Sequence, residues 1–269
     1  MKLFEKRRKE AALRVDAACL CDIGLKRKSN QDNVLFAGQV LPPRERTNSA
    51  KPEQLCVSAA ALLSFGVFDG MGGESYGEFA SFEAANALKE QSEAEGFALP
   101  DDRELKGLFE AMDTRVGEMG DALRASRVGT TAVILLLQGS QAVAANVGDS
   151  RAYLYRDGQL RQLSVDHLEE EALPGRSRGL VQYLGMRSGL VLEPKISRVT
   201  LQAGDCLLLC SDGFSGAIAD DVLRSRLGAL LTSGCSAGEI TAQLVEEALV
   251  EDGKDNTTLL LCRIVAEEA

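Results

Sequence analysis

Four aspartates lie where apolar, strand-like runs of the chain begin or end. Asp69 follows LLSFGVF, and Asp149 follows AVAANV. Asp212 follows CLLLCS, and Asp255 comes directly before NTTLLLCRI. If these strands share one edge of a sandwich, the carboxylates converge, and like charges at close range need a compensating cation. Because all of these ligands are oxygens, the pattern favours a hard ion such as magnesium or manganese.

Aspartate and glycine also make ordinary turns, so each of the four positions has a second interpretation. Asp157–Gly158 lies between two alternating patterns in RAYLYRDGQLRQLS, which predicts a β-hairpin. Asp69 and Asp212 have a different setting, because they lead into glycine-rich or helix-like sequence rather than into a second alternating strand. The four aspartates as a set therefore favour a site over four unrelated turns.

The glycines behind Asp69 in FGVFDGMGGES add to this interpretation. Gly70 allows the backbone to turn so that its carbonyl can join Asp69 on a metal ion, and Gly72 and Gly73 leave room for a substrate. A tight turn with only a structural role seldom needs so many glycines. The segment therefore favours a metal site that a substrate can approach.

A basic segment lies upstream, in RKSNQD. Arg27 precedes Asp32 there and is suited to phosphate binding, because its planar guanidinium matches two oxygens. Arg27 with Lys26 and Lys28 is also typical of an exposed basic turn. Taken alone, the segment leaves both interpretations open.

The strands that must position these residues are short and bounded by turns. The apolar runs Leu62–Phe68, Ala132–Leu137 and Cys206–Cys210 predict buried strands. Gln141–Ser164 predicts consecutive hairpins, and the polar stretch Leu41–Gln54 predicts an exposed loop. The sheets are therefore expected to be antiparallel.

The helices are expected in pairs rather than in alternation with strands. Asp101 with Glu104, and Ser236 with Glu239, have the spacing of a capping box. The predicted helices are Glu74–Gln91, Asp101–Leu123, Asp221–Leu231 and Ser236–Val250, and a strand Thr257–Val265 follows them. Hairpins combined with helix pairs favour an α+β layered fold over a parallel βαβ sheet.

The composition excludes several classes of protein. A formal net charge of −10 argues against a nucleic-acid-binding surface. No run of the chain reaches the roughly 20 apolar residues of a transmembrane helix, and MKLFEKRRKE lacks the apolar stretch of a signal peptide. Seven cysteines without a paired framework predict free thiols in a reducing compartment. We therefore expect a cytoplasmic protein with a basic tail over residues 1–16 and one domain over residues 17–269.

Six motifs occur in an order and spacing that resemble the metal-dependent protein phosphatases (PPM) of the protein phosphatase 2C type. The motifs are GLKRKSNQDN, FGVFDGMGGES, VGTTAVILLL, NVGDSRAYLYRDGQL, LLLCSDGF and GKDNTTLLL, and the resemblance runs from about Ala17 to Val265. Together they are far more specific than one glycine-rich loop. The resemblance implies a four-layer α-β-β-α sandwich, in which helix pairs flank two antiparallel sheets.

The resemblance also implies a site with two divalent cations, manganese or magnesium, at one edge of the sandwich. Asp69 would bridge the two ions, and the Gly70 carbonyl would bind one of them. Asp212 and Asp255 would hold the other ion, and Asp149 with Asp212 would form a third, weaker site. In the resemblance, the residues with catalytic roles are Arg27, which would grip the phosphate, and Asp32, which would act through metal-bound water.

The activity that the resemblance implies is hydrolysis of phosphoserine and phosphothreonine by direct attack of a metal-bridging hydroxide. The partners would be phosphorylated proteins, the products of serine/threonine kinases. The alternative is a pseudophosphatase, which would keep the fold and bind a phosphoprotein without turnover.

Two residues and the length of one segment depart from the family pattern. Gln31 stands where many members have glutamate, and Met71 stands where the eukaryotic branch has a histidine that is a candidate general acid. The flap, residues 166–186, is expected to be shorter than usual. His167, the only histidine, is expected to begin this flap with a structural role rather than to replace the missing acid.

Overall fold

A computed structural model describes residues 12–43, 53–71, 76–125, 128–172, 178–186, 189 and 191–267. Within these residues, the strands are β1 Leu13–Asp22, β2 Asp32–Phe36, β3 Gln39–Val40, β4 Glu53–Ser58, β5 Leu63–Met71, β6 Gly129–Thr130, β7 Ala132–Gln138, β8 Gln141–Val147, β9 Arg151–Arg156, β10 Gln159–Gln162, β11 Lys195–Thr200, β12 Cys206–Cys210 and β13 Thr257–Ala266. The helices are α1 Gly77–Ser92, α2 Asp102–Ala122, α3 Asp212–Ser215, α4 Asp220–Thr232 and α5 Ala237–Glu251.

The strands form two antiparallel sheets. One sheet has the spatial order β10-β9-β12-β13-β1-β4. The other has the order β11-β8-β7-β5-β2-β3, and β6 pairs with β5 outside this path. In the second sheet, Asp32 of β2 lies directly opposite Asp69 of β5. Two of the expected site residues are therefore cross-strand neighbours.

Side chains along each strand point alternately to the two faces of its sheet, and this alternation builds the layers. In β13, Leu260 and Ile264 belong to the core between the two sheets. Leu259 and Leu261 point the other way and pack in the core that also contains residues of α4 and α5. A third core joins the second sheet to α1 and α2. This arrangement confirms the four-layer α-β-β-α sandwich.

Capping boxes fix the starts of two helices. The Asp101 carboxylate accepts hydrogen bonds from the backbone of Arg103 and Glu104, and the Glu104 side chain accepts one from the Asp101 backbone. Ser236 and Glu239 form the same arrangement before α5. Both helix starts that the spacing predicts are confirmed.

Several element boundaries differ from those that the sequence predicts. β1 begins at Leu13, so the residues from 13 to 16 belong to a sheet and not to the expected tail; residues 1–11 lie outside the described residues. β4 begins at Glu53, inside the stretch expected to be a loop, of which residues 44–52 are not described. α1 begins at Gly77 rather than at Glu74, because Tyr76 has a left-handed backbone with φ of 80°.

No helix in the described part of the chain has the length and apolar character needed to cross a membrane.

Candidate metal centre

An open pocket of about 250 Å³ lies at one edge of the sandwich, where strand ends of both sheets meet. Six of the seven expected site residues line this pocket: Arg27, Asp69, Gly70, Asp149, Asp212 and Asp255. The seventh, Asp32, is buried beside the pocket rather than in its lining. Residues that are up to 228 positions apart in sequence are therefore neighbours in the fold.

Each carboxylate is placed by the end of a strand. Asp69 is near the end of β5, and Asp149 lies in the turn after β8. Asp212 is the first residue of the short helix α3, which follows β12. Asp255 comes shortly before β13. The two sheets thus contribute two of these aspartates each.

Close backbone contacts explain two glycines of the site. A Cβ atom on Gly70 would lie 2.1 Å from the carbonyl oxygen of Gly77 and 2.6 Å from that of Gln31. A Cβ atom on Gly213 would lie 2.1 Å from the carbonyl oxygen of Asn256. Only glycine fits at both positions. Gly72 and Gly73, the other glycines of the motif, lie outside the described residues.

Each carboxylate of the pocket makes ionisation of its neighbours less favourable. Burial, and then the charge of Asp212, raise the pKa of Asp69 well above its usual range. The same two causes raise the pKa of Asp149 to about 6. Asp212 reaches solvent, yet loss of water in the cleft and the nearby charge of Asp255 raise its pKa as well. Among the described residues, no lysine or arginine forms an ion pair with Asp69, Asp149 or Asp212.

Arg27 supplies a positive charge at the mouth of the pocket. Its Nη2 atom lies 2.5 Å from Oδ2 of Asp255, and the two side chains are 50% and 38% exposed. The hydrogen bond to Asp255 raises the pKa of Arg27, and the charges of Asp69 and Asp212 act in the same direction. The guanidinium is therefore ionised and lies beside the carboxylates.

Asp32 lies beneath the pocket and is held by hydroxyl groups. Its Oδ2 accepts hydrogen bonds from Ser211 Oγ at 2.7 Å and from Thr258 Oγ1 at 2.6 Å. Burial is the main cause that raises the pKa of Asp32. These contacts tie β2 to the ends of β12 and β13, which lie next to Asp212 and Asp255.

Comparison with known proteins decides the family. A model of the family "Protein phosphatase 2C" matches residues 48–173. The serine/threonine phosphatase stp of Listeria welshimeri is 32% identical over 220 residues, which cover 70% of this chain and 86% of that protein. The chain belongs to the protein phosphatase 2C family.

Other members of the family are similar over nearly the whole chain. The serine/threonine protein phosphatase PstP of Mycobacterium tuberculosis is 30% identical over 92% of this chain, which spans only 45% of that protein. The solved catalytic domain of PstP in complex with two manganese ions has a TM-score of 0.71 and 27% identity, and the match covers 94% of this chain and 99% of that one. PppA of Pseudomonas aeruginosa, a regulatory component of T6SS, has a TM-score of 0.73 and 28% identity, with 93% of this chain and 97% of that one covered.

The donor set of the pocket fits the divalent cations of a phosphatase 2C centre. It consists of carboxylate oxygens and the Gly70 carbonyl, and hard cations prefer oxygen ligands. The charge of Asp212 contributes to the raised pKa of Asp69, and a bound cation would offset this repulsion between carboxylates. In the part of the chain that the structure describes, no three acidic, cysteine or histidine side chains already form a complete metal-binding group. Asp255, for example, is engaged by Arg27. The ligand role of each residue stays a prediction.

Sequence reasoning missed Asn256, which also lines the pocket. Its Oδ1 accepts a hydrogen bond from the Gln31 backbone at 2.8 Å, and its Nδ2 donates to the carbonyls of Ile23 and Ser29. Asn256 therefore holds both ends of the segment that carries Arg27. Its position directly after Asp255 in GKDNTT is the one signal that could have drawn attention to it.

Two of the departures from the family pattern also line the pocket, namely Gln31 and Met71. The lining does not include His167. Its Nδ1 accepts a hydrogen bond from the Gly148 backbone at 3.1 Å, and burial lowers its pKa. His167 is therefore neutral and fixes the start of the flap against the turn that carries Asp149.

The described part of the flap closes one side of the pocket. Leu168 pairs with Leu180, and Leu180 lines the pocket. Further along, Leu184 pairs with Thr130 of β6. Residues 173–177 of the flap lie outside the described residues, and its shorter length stays a prediction.

Proposed function

We propose that this chain hydrolyses phosphoserine and phosphothreonine in protein substrates and that this activity depends on manganese or magnesium. One observation carries the proposal: an arginine and four aspartates from both sheets line one open pocket. Relatives that match most of this chain are named serine/threonine phosphatases. No observation favours the alternative of a pseudophosphatase that binds phosphoproteins without turnover.

The residues proposed to hold two cations are Asp69, the Gly70 carbonyl, Asp212 and Asp255, with Asp149 contributing to a weaker third site. Bound cations of this kind supply an acidified water molecule and neutralise charge on the phosphoryl group. Without them, the pocket combines several negative charges and would repel a phosphate dianion.

Arg27 is proposed to orient the substrate. Its guanidinium has donors for two phosphoryl oxygens, and it is half exposed at the mouth of the pocket. To bind the phosphate, the guanidinium must share or exchange its contact with Asp255. Asp32, fixed by Ser211 and Thr258, would hold the ends of β12 and β13 in place during turnover.

The biological setting is also a proposal. The substrates would be products of serine/threonine kinases, and the protein would act in cytoplasmic signalling. The seven cysteines are all free thiols, which supports a reducing compartment. We further propose one catalytic domain over residues 17–269, extended to Leu13 by β1, with the flap at residues 166–186.

Phosphate release from a phosphothreonine peptide tests the proposed function. The protein is first treated with a chelator and dialysed, and activity is then measured with and without added manganese. We expect turnover only with the metal. Full activity after chelation would contradict a metal-dependent mechanism, and no activity at any manganese concentration would contradict a phosphatase function.

A further inference from the structure

Two buried hydroxyl groups connect the strand that carries Asp69 to the turn that carries Asp149. Thr131 Oγ1 accepts a hydrogen bond from the Asp69 backbone nitrogen at 3.1 Å. The same oxygen lies 2.6 Å from Ser150 Oγ. Thr131 is 1% exposed and Ser150 is 0% exposed, so water does not compete for these contacts.

The backbone of Asp69 is also held from its other side. Its carbonyl accepts hydrogen bonds from the Thr131 backbone and from Thr130 Oγ1, both at 2.9 Å. The backbone of Asp69 is therefore fixed by Thr130 of β6 and by Thr131, which lies between β6 and β7. The side chain of Asp69 is left to face the pocket.

The turn after β8 packs directly on Thr131. Gly148 has φ of +101°, and a Cβ atom there would lie 2.6 Å from both Cβ and Cγ2 of Thr131. Asp149 and Ser150 follow at once in the chain, and Asp149 lines the pocket. Thr131 thus contacts both neighbours of Asp149 in sequence, one by packing and the other by a hydrogen bond.

We propose that Thr131 and Ser150 are positioning residues that set the distance between the Asp69 and Asp149 carboxylates, and thereby the manganese affinity of the pocket. This inference rests on the proposed function. Neither hydroxyl is proposed to touch the metal or the substrate. They act through the carboxylates, as groups behind metal ligands commonly do, and loss of such groups typically costs about 10- to 100-fold in metal affinity.

Manganese titration of the chelated protein, residues 1–269, by calorimetry tests this role. We expect Thr131→Val, which keeps the shape and removes the hydroxyl, to weaken manganese binding by about 10- to 100-fold. Thr131→Ser keeps the hydroxyl and should bind manganese close to the wild-type affinity. Ser150→Ala removes the partner of the same hydrogen bond and should weaken binding in the same direction.

Thr241→Val is the matched control. Thr241 is 0% exposed in α5, and its hydroxyl has no hydrogen-bond partner within the described part of the chain. This substitution makes the same chemical change in a buried position, so manganese affinity should stay at the wild-type value. Thermal unfolding of each chelated variant separates an effect on the site from a general loss of stability.

The outcomes are distinguishable. If folded Thr131→Val binds manganese like the wild type, or if Thr131→Ser binds as weakly as Thr131→Val, the positioning role of the hydroxyl is wrong. Should Thr131→Val fail to fold, Ser150→Ala decides the question, and wild-type affinity in that variant overturns the proposal. A wild-type protein that binds manganese but releases no phosphate contradicts the proposed function and leaves this comparison of affinities intact.

Discussion

The two ends of strand β12 each carry an aspartate, and the surroundings of the two aspartates differ. Asp205, directly before the strand, has a fully buried side chain, and Arg156 binds both of its oxygens at 2.7 and 2.6 Å. Asp212, shortly after the strand, opens on the pocket beside Asp69 and Asp255. No lysine or arginine among the described residues forms an ion pair with Asp212.

The difference separates a structural carboxylate from a functional one. At Asp205, the chain provides its own cation, so the charge is neutralised inside the fold and the bidentate contact holds β9 to β12. At Asp212, neighbouring aspartates add negative charge, and the cation must come from solution. Both aspartates lie next to an end of the same strand, so residue type and strand-end location do not distinguish them, and their charged neighbours decide the role of each.

The largest effect is expected for Asp212→Asn. Loss of a ligand charge removes metal-ion catalysis worth several kcal/mol, so kcat/KM on a phosphothreonine peptide should fall by about a thousandfold or more. The same substitution should raise the melting temperature of the chelated protein, because it removes one of several repelling charges. A variant with near wild-type turnover would show that Asp212 is not a metal ligand.

Asp205→Asn should act on stability and not on chemistry. Breaking a buried ion pair typically costs about 3–5 kcal/mol, and we expect about 3 because Arg156 remains one-third exposed. Urea unfolding measures this loss, while kcat/KM per folded molecule should stay near the wild-type value. If turnover fell as far as is expected for Asp212→Asn, the division into a structural Asp205 and a functional Asp212 would be wrong.

Arg27→Ala tests the basic side chain that lines the pocket among the described residues. The metal ligands stay in place, so we expect a loss of about 10- to 1,000-fold in kcat/KM, typical of one electrostatic contact to the reacting group. Manganese affinity should be retained. Arg27→Lys is the matched control, because it keeps the charge but not the planar fork, and it should recover only part of the activity. Full activity in Arg27→Ala would exclude a role in phosphate binding.

The smallest effect is expected for Asp157→Asn. Asp157 has φ of 51° in the turn between β9 and β10, and asparagine adopts this left-handed conformation readily. Turnover, manganese affinity and melting temperature should all stay close to the wild-type values. A loss comparable to that of Asp212→Asn, in a variant whose circular dichroism is unchanged, would mean that the turn aspartates and the pocket aspartates were wrongly separated.

The sequence predicted the layers and the strand ends, because both follow from local patterns. Short apolar runs located β5, β7 and β12, and the carboxylates near the ends of β5 and β12 converge once the sheets pack. The pair Asp157–Gly158 was correctly predicted as a hairpin turn, since its neighbours alternate on both sides. The six expected pocket residues could be named in this way or through the family resemblance.

The supporting contacts could not be predicted, because they join distant segments through common residue types. Thr131 and Ser150 are ordinary hydroxyl residues until the fold brings them within 2.6 Å. Asn256 reaches the Gln31 backbone across 225 positions, and no local pattern marks such a contact. The start of α1 was also misplaced, since Tyr76 has a left-handed backbone, which a bulky side chain rarely adopts and which the residue type therefore does not predict.

The backbone contacts at Gly70 and Gly213 have a consequence for how this site tolerates mutation. Any side chain at either position would overlap a carbonyl oxygen 2.1 Å away, so replacement there reduces the amount of folded protein. Replacement of a pocket carboxylate instead leaves a folded chain that turns over slowly. A library of single substitutions, sorted once for abundance and once for activity, would therefore divide the pocket residues into two sets. Substitutions at the glycines would lower abundance, and substitutions at the carboxylates would lower activity at normal abundance.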